Sequence, residues 1–182
     1  MIRFFDIVFA FIGLILLSPI FLVLLIIGYF DTRSPLFKQK RIGKGMIAFS
    51  LIKFRSMHIQ TSSVATHLVN KNAITPFGQF LRKTKLDELP QLWNVLIGDM
   101  SLVGPRPNLF NQEELIHERT MRGVYDVRPG ITGLSQINEI DMSTPKLLAE
   151  KDAEMIKNLN IANYFKYIFL TISGKGQGDR VK

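Results

Sequence analysis

The chain has 182 residues, 47% of them apolar, a formal net charge of +8 and no cysteine. Without Cys there is no disulfide framework, no thiolate chemistry and no zinc–thiolate site. The length suits one modest domain beyond any membrane element, and the basic excess favours an anionic lipid surface, an anionic substrate, or both.

From Ile7 to Phe30 no side chain is charged. As one straight helix at ~1.5 Å per residue this run would measure about 36 Å, enough for a bilayer core of roughly 30 Å. Near its middle stands Ser18-Pro19. Proline removes a backbone donor and clashes with the preceding turn, so a bend is predicted there. A bent run can enter a bilayer and return. A spanning helix that tolerates its proline is the rival reading. A secretory signal fits poorly, because the run exceeds the usual ~7–15 apolar residues and no small-x-small cleavage site follows. Arg33, Lys38, Lys40 and Arg41 follow the run, and the positive-inside tendency places what comes after in the cytoplasm. The expected division is a membrane element at residues 1–31, re-entrant or spanning, and one further domain at 32–182.

Gly43 and Gly45 mark a turn and Ala48 to Phe54 reads as a strand, so a short two-stranded piece is predicted. Residues 58–74 are polar and read as a surface loop. Thr75-Pro76 opens a helix, with Thr as cap and Pro at the first helical position. Phe77, Phe80 and Leu81 then share one face. A second helix carries Leu89, Leu92, Trp93 and Leu96 and stops at Gly98. Gly104-Pro105-Arg106-Pro107 is a stiff loop. Leu109 to Met121 reads as a helix ended by Gly123, Arg128-Pro129-Gly130 as a turn, Ile131 to Ile137 as a short strand, and residues 145–159 as a helix. Asn163 to Ile172 is dense in aromatics and suits either a helix at the membrane interface or a core helix. The predicted fold class is α+β, mainly helical, with a small β element.

The chemistry concentrates between Arg82 and Pro90. Pro90 must lie in the first turn of its helix, which puts Asp87 at or beside the N-terminus, where the helix dipole favours an ionised carboxylate. A carboxylate so held can attack phosphorus. Glu88 points about 100° away, so it cannot mirror Asp87 across a substrate; it suits a metal or a proton at one edge of a site. Thr84-x-x-Asp87 equally matches a capping box, which needs no chemistry at all.

Arg106 lies between two prolines and Arg128 precedes Pro129-Gly130. Stiff backbone lets a guanidinium grip an oxyanion with little loss of order. Arg82 sits close to Asp87 in the chain. Three arginines around one carboxylate would suit a diphosphate, whereas each alone reads as a surface ion pair. Other motifs point nowhere. Gly43-Lys44-Gly45 and Gly174-Lys175-Gly176-Gln177-Gly178 are not phosphate loops. His58, His67 and His117 lack metal-ligand spacing. There is no G-x-S-x-G elbow and no nucleic-acid motif.

Taken together, several blocks resemble the small monotopic phosphoglycosyl transferases of the bacterial sugar transferase family, over nearly the whole chain. They are Ser18-Pro19, Lys53-Phe54-Arg55-Ser56-Met57, Arg82 to Asn94, Gly98 to Pro107, and Val127 to Gly133. The resemblance implies transfer of a sugar-1-phosphate from a UDP-sugar to undecaprenyl phosphate, starting a lipid-linked glycan. It implies Asp87 as the nucleophile of a covalent phosphosugar intermediate that releases UMP, Glu88 as its dyad partner, and Mg2+ bound at Asp87. Arg82 and Arg106 match phosphate-contacting positions, and Lys53 and Asp152 fall at further polar positions that matter in relatives. Arg128 is added here as a candidate for the nucleotide end. Ser18-Pro19 would be the break of a re-entrant hairpin with both ends cytoplasmic, at the bacterial inner membrane. Membrane lipid and downstream glycosyltransferases are the implied partners, with no nucleic acid, and the chain would be the minimal form of larger relatives. A membrane-anchored, non-catalytic binding or scaffold module is the alternative.

Overall fold

The computed structural model describes residues 1–61 and 73–176. Two helices lead, α1 (Ile2–Leu16) and α2 (Ser18–Thr32), with Leu17 between them and a bend of 62°. The bend has a local cause. A residue-19 amide would donate to the Ile15 carbonyl, and proline has none to give. The Ser18 hydroxyl donates to that carbonyl instead, at 2.7 Å. Among the described residues no single helix is long and apolar enough to cross a membrane, although this bent pair together has the length and composition.

The outer faces of the pair are apolar and exposed, at Phe4, Phe11, Leu22 and Phe30 for example, whereas Ala10 and Leu24 are buried. Ala10 packs with Phe49, Leu51, Val95 and Met100, and Leu24 with Phe54 and Leu81. The hairpin therefore shares its core with the rest of the chain. Asp6 of α1 is buried too. Its Oδ1 accepts from the Ser101 hydroxyl (3.0 Å), the Leu102 amide (2.9 Å) and the Tyr164 hydroxyl (2.9 Å). A buried carboxylate needs such donors, and these three lock α1 to two later elements.

β1 (Leu36–Ile42) and β2 (Ala48–Phe54) form the expected two-stranded piece, and it is antiparallel, with Leu36 opposite Phe54 and Ile42 opposite Ala48. Gly45 in the connection has φ of 62°, a left-handed conformation suited to glycine. α3 (Pro76–Lys83) starts as predicted: the Thr75 hydroxyl accepts from the Gly78 amide at 2.9 Å and Pro76 occupies the first turn. α4 (Gln91–Ile97) ends at Gly98, φ 102°. Asn94 stitches α4 to β2, donating to the Ser50 carbonyl (2.8 Å) and accepting from the Ile52 amide (3.1 Å). β3 (Ser101–Val103) pairs in parallel with β4 (Gly130–Thr132). No sequence signal marks β3, because three residues are too few for a period to register.

Later boundaries differ from expectation in two places. α5 runs over Glu113–Met121 and not from Leu109. The Gln112 side chain takes the Leu109 amide at 2.9 Å, and Gln112 itself has non-helical φ/ψ of −97° and 63°. The expected strand Ile131 to Ile137 stops at Thr132, where β3 ends as its partner, and Leu134–Ile137 form the short helix α6. α7 (Pro145–Lys157) is close to expectation. α8 (Ile161–Ile172) begins earlier than Asn163, because the Asn160 side chain caps the Asn163 amide at 2.9 Å. It serves both sides at once: Tyr164 and Tyr167 are buried, Phe169 and Ile172 exposed. Most of the polar loop expected at 58–74, His67 included, lies outside the described residues. At its ends, the His58 amide donates to the Ala73 carbonyl at 2.9 Å.

Candidate active site

Between α3 and α4 the chain makes one 3-10 turn, Leu86–Glu88. Lys85 enters it at φ 58°, a left-handed conformation uncommon for a residue with a side chain. The capping box does not form. The Thr84 hydroxyl donates backwards to the carbonyls of Phe80 (2.8 Å) and Leu81 (3.2 Å), closing α3, and the turn has no side-chain cap. Pro90 stands immediately before α4, just ahead of the first-turn position expected for it, where its missing amide costs no intrahelical bond.

Asp87 and Glu88 are 5% and 9% exposed. The Arg106 guanidinium donates to Glu88 Oε1 through Nη2 at 2.7 Å, and the Lys53 ammonium donates to the same oxygen at 3.5 Å. Lys53 comes from β2, Glu88 from the 3-10 turn and Arg106 from the loop after β3, so three elements converge on one carboxylate. Arg82, in the last turn of α3, donates through Nε to the Ser56 hydroxyl at 3.0 Å, on the stretch that follows β2. The Lys85 ammonium donates to the Lys175 carbonyl at 2.8 Å. Burial holds its pKa below the usual lysine range, with Glu88 opposing that shift and Arg106 adding to it.

Two expected site residues lie elsewhere. Arg128 donates through Nε to the Gly98 carbonyl at 2.8 Å, at the end of α4 opposite the 3-10 turn. There it lines a cavity of about 220 Å3 with Arg3, Lys44 and Asp126. It does not join the Glu88 cluster. Asp152 is 0% exposed. Its Oδ2 receives the Arg119 fork, Nη2 at 2.6 Å and Nε at 3.1 Å, and its Oδ1 receives the Ser135 hydroxyl at 2.8 Å. Asp152 therefore meets the site only through Arg119, a residue sequence reasoning passed over. The sequence marks the surrounding segment only as part of a helix, and nothing in its pattern marks a buried arginine.

Among the described residues there is no group of three or more His, Asp or Glu side chains placed to hold a metal ion. Mg2+ commonly takes one or two carboxylates and completes its shell with substrate phosphates and water. The Asp87–Glu88 turn, beside two cations, offers that kind of donor set.

Residues 1–176 match the family described as Bacterial sugar transferase. The chain belongs to the bacterial sugar transferase family. It is 40% identical over 179 residues to a UDP-glucose:undecaprenyl-phosphate glucose-1-phosphate transferase of Klebsiella pneumoniae, covering 92% of this chain and 38% of that one. A protein of the same name from Escherichia coli K12 is 37% identical over 179 residues, again with 92% and 38% covered. The exopolysaccharide production protein PSS of Rhizobium leguminosarum bv. phaseoli is 37% identical over 186 residues, covering 93% of this chain and 92% of that protein. This family member thus spans about two fifths of the length of the first two relatives and nearly all of the third.

Proposed function

We propose that the chain is a phosphoglycosyl transferase that moves a sugar-1-phosphate from a UDP-sugar to undecaprenyl phosphate, by way of a covalent Asp87 intermediate. One observation carries this reading: a buried Asp87–Glu88 doublet in a short turn, with Arg106 and Lys53 both on Glu88, in a chain whose relatives bear the names of such transferases.

In the first step an Asp87 oxygen attacks the sugar-bearing phosphorus. The bond from that phosphorus to the bridging oxygen breaks, and UMP leaves with the electron pair. In the second step an oxygen of the lipid phosphate attacks the same phosphorus, and the Asp87 carboxylate is restored. Phosphoryl transfer asks mainly for position and charge neutralisation. Arg106 and Lys53, held by Glu88 until the diphosphate competes for them, would supply both, with Arg82 at the edge of the turn. A magnesium ion held by Asp87 and completed by diphosphate oxygens and water would neutralise further charge when bound.

A polyprenyl phosphate stays in its membrane and a nucleotide sugar stays out of it, so the site belongs at the interface. We assign α1 and α2 to a re-entrant hairpin in the cytoplasmic leaflet of the bacterial inner membrane. The 62° bend, the exposed apolar outer faces and the exposed face of α8 support that placement. The product would pass to downstream glycosyltransferases.

The test is mass spectrometry of the chain incubated with Mg2+ and a UDP-sugar panel, without lipid. A phosphosugar adduct on the peptide containing Asp87, with UMP released, is expected. Product formation with lipid present but no adduct under any donor would end the covalent route. For topology, a Cys placed at residue 2 should label only from the cytoplasmic side; periplasmic labelling would favour a spanning helix.

A further inference from the structure

The loop that carries Arg106 is held at five consecutive carbonyls. Gln136 Nε2 donates to Gly104 (3.1 Å), the Gly130 amide to Pro105 (2.9 Å), Arg119 Nη1 to Arg106 (2.9 Å), Arg41 Nη1 to Pro107 (3.1 Å) and the Ile42 amide to Asn108 (3.0 Å). Prolines already fix φ at 105 and 107, and donors from four separate stretches of chain remove most of the remaining freedom. The loop also crosses the Arg128-Pro129-Gly130 turn so closely that a Cβ on Gly104 would stand 2.5 Å from the Arg128 carbonyl.

The deepest of these holds is the least expected. The Arg119 and Asp152 side chains are 2% and 0% exposed. Taking such a pair out of water is costly, and well-packed apolar side chains often serve stability as well or better. What apolar side chains lack is a donor for a loop carbonyl. Arg119 spends Nε and Nη2 on Asp152, and gives Nη1 to the Arg106 carbonyl and to Asn108 Oδ1 at 2.8 Å. The Tyr125 hydroxyl donates to that same Asn108 oxygen at 3.0 Å. A continuous chain of bonds runs from Asp152 through Arg119 to the backbone of Arg106, whose side chain then reaches Glu88.

We propose that Arg119, assisted by Arg41, is a positioning residue: it touches no substrate and acts on phosphoryl transfer by fixing the backbone from which Arg106 reaches the Asp87–Glu88 turn. The inference rests on the transfer reaction proposed above. Donors that stabilise developing charge work only if they are already in place, and a misplacement of about 1 Å can cost roughly 10²-fold in rate.

The experiment is a double-mutant cycle on the full chain in detergent or nanodiscs, with Mg2+, UDP-sugar and undecaprenyl phosphate, following UMP. Arg119→Lys should lower kcat by about 10²-fold with the donor KM changed little, because the loss falls on the transition state. In an Arg106→Ala background the same substitution should add nothing. Losses that multiply, or a full kcat in Arg119→Lys beside a crippled Arg106→Ala, would overturn the positioning role while leaving the site intact. Full turnover by Arg106→Ala would instead overturn the site assignment and this inference with it. If Arg119→Lys does not accumulate, Arg41→Met takes its place, because it removes the donor to the Pro107 carbonyl. In the same cycle it should lose about tenfold in kcat and add nothing to Arg106→Ala; a full kcat, or losses that multiply, would again overturn the positioning role.

Discussion

Two carboxylate–cation clusters meet at Arg106, and they differ in one respect. Around Glu88 the side chains of Arg106, Lys53 and Glu88 are 22%, 12% and 11% exposed. Around Asp152 the pair is sealed from solvent and satisfied from all sides by Arg119 and Ser135. An incoming anion can compete for the first set of cations, since water already reaches them. It could reach Arg119 only by stripping a buried carboxylate of its partner. On the proposed function, the same residue types make a binding surface in one place and scaffold in the other, and burial decides which.

The largest test of this division is Asp87→Asn, which should cut turnover by about 10⁴-fold or more, as loss of a nucleophile does, while thermal unfolding stays near that of the parent. Near-normal UMP release would empty the first cluster of its chemistry. Next comes a pair of truncations read by denaturant unfolding in detergent. Asp152→Ala should lose about 3–5 kcal/mol, because it leaves Arg119 buried and uncompensated. Arg106→Ala should lose less, because Lys53 remains on Glu88 and the pair is not sealed from water, yet impair turnover. Equal stability losses in the two would erase the contrast.

A smaller effect comes from alkali. Tyr125, beside the sealed pair, has its pKa raised chiefly by burial, as does Tyr164, where Asp6 adds to the shift. Above pH 10 the unfolded chain releases these protons and the folded chain keeps them, so stability should fall as pH climbs from there. Tyr125→Phe should flatten that fall; an unchanged slope would mean the group does not contribute. Smallest is Lys85, whose pKa is lowered. The folded chain gives up that proton first, so stability should rise gently as pH approaches 10.5, and Lys85→Met should remove the rise.

The elements legible in the sequence are mainly those whose cause lies within one turn of chain. The Pro19 break, the Thr75 cap with Pro76, the stop at Gly98 and the place of Pro90 each follow from a single missing amide, a side-chain acceptor or a left-handed φ. The Asp87–Glu88 doublet was visible for the same reason. Its capping-box alternative failed because Thr84 prefers the end of the helix behind it. Boundaries differ where a side chain with no cap signature competes, as Gln112 does for the Leu109 amide three residues away, and where the partner lies across the fold, as β4 stops where β3 stops.

Partnership across the chain was another matter. Lys53 meets Glu88 over 35 residues, Arg106 meets it over 18, and Arg119 meets Asp152 over 33. No local rule encodes those separations, because they are set by how helices and hairpins pack. Residue types and short spacings supplied the bend, the caps, the doublet and the family resemblance. Packing alone assigned Arg106 and Lys53 to Glu88, sent Arg128 to the far end of α4, and buried Asp152 behind Arg119, since electrostatic partners are chosen by distance in space and by exclusion of water.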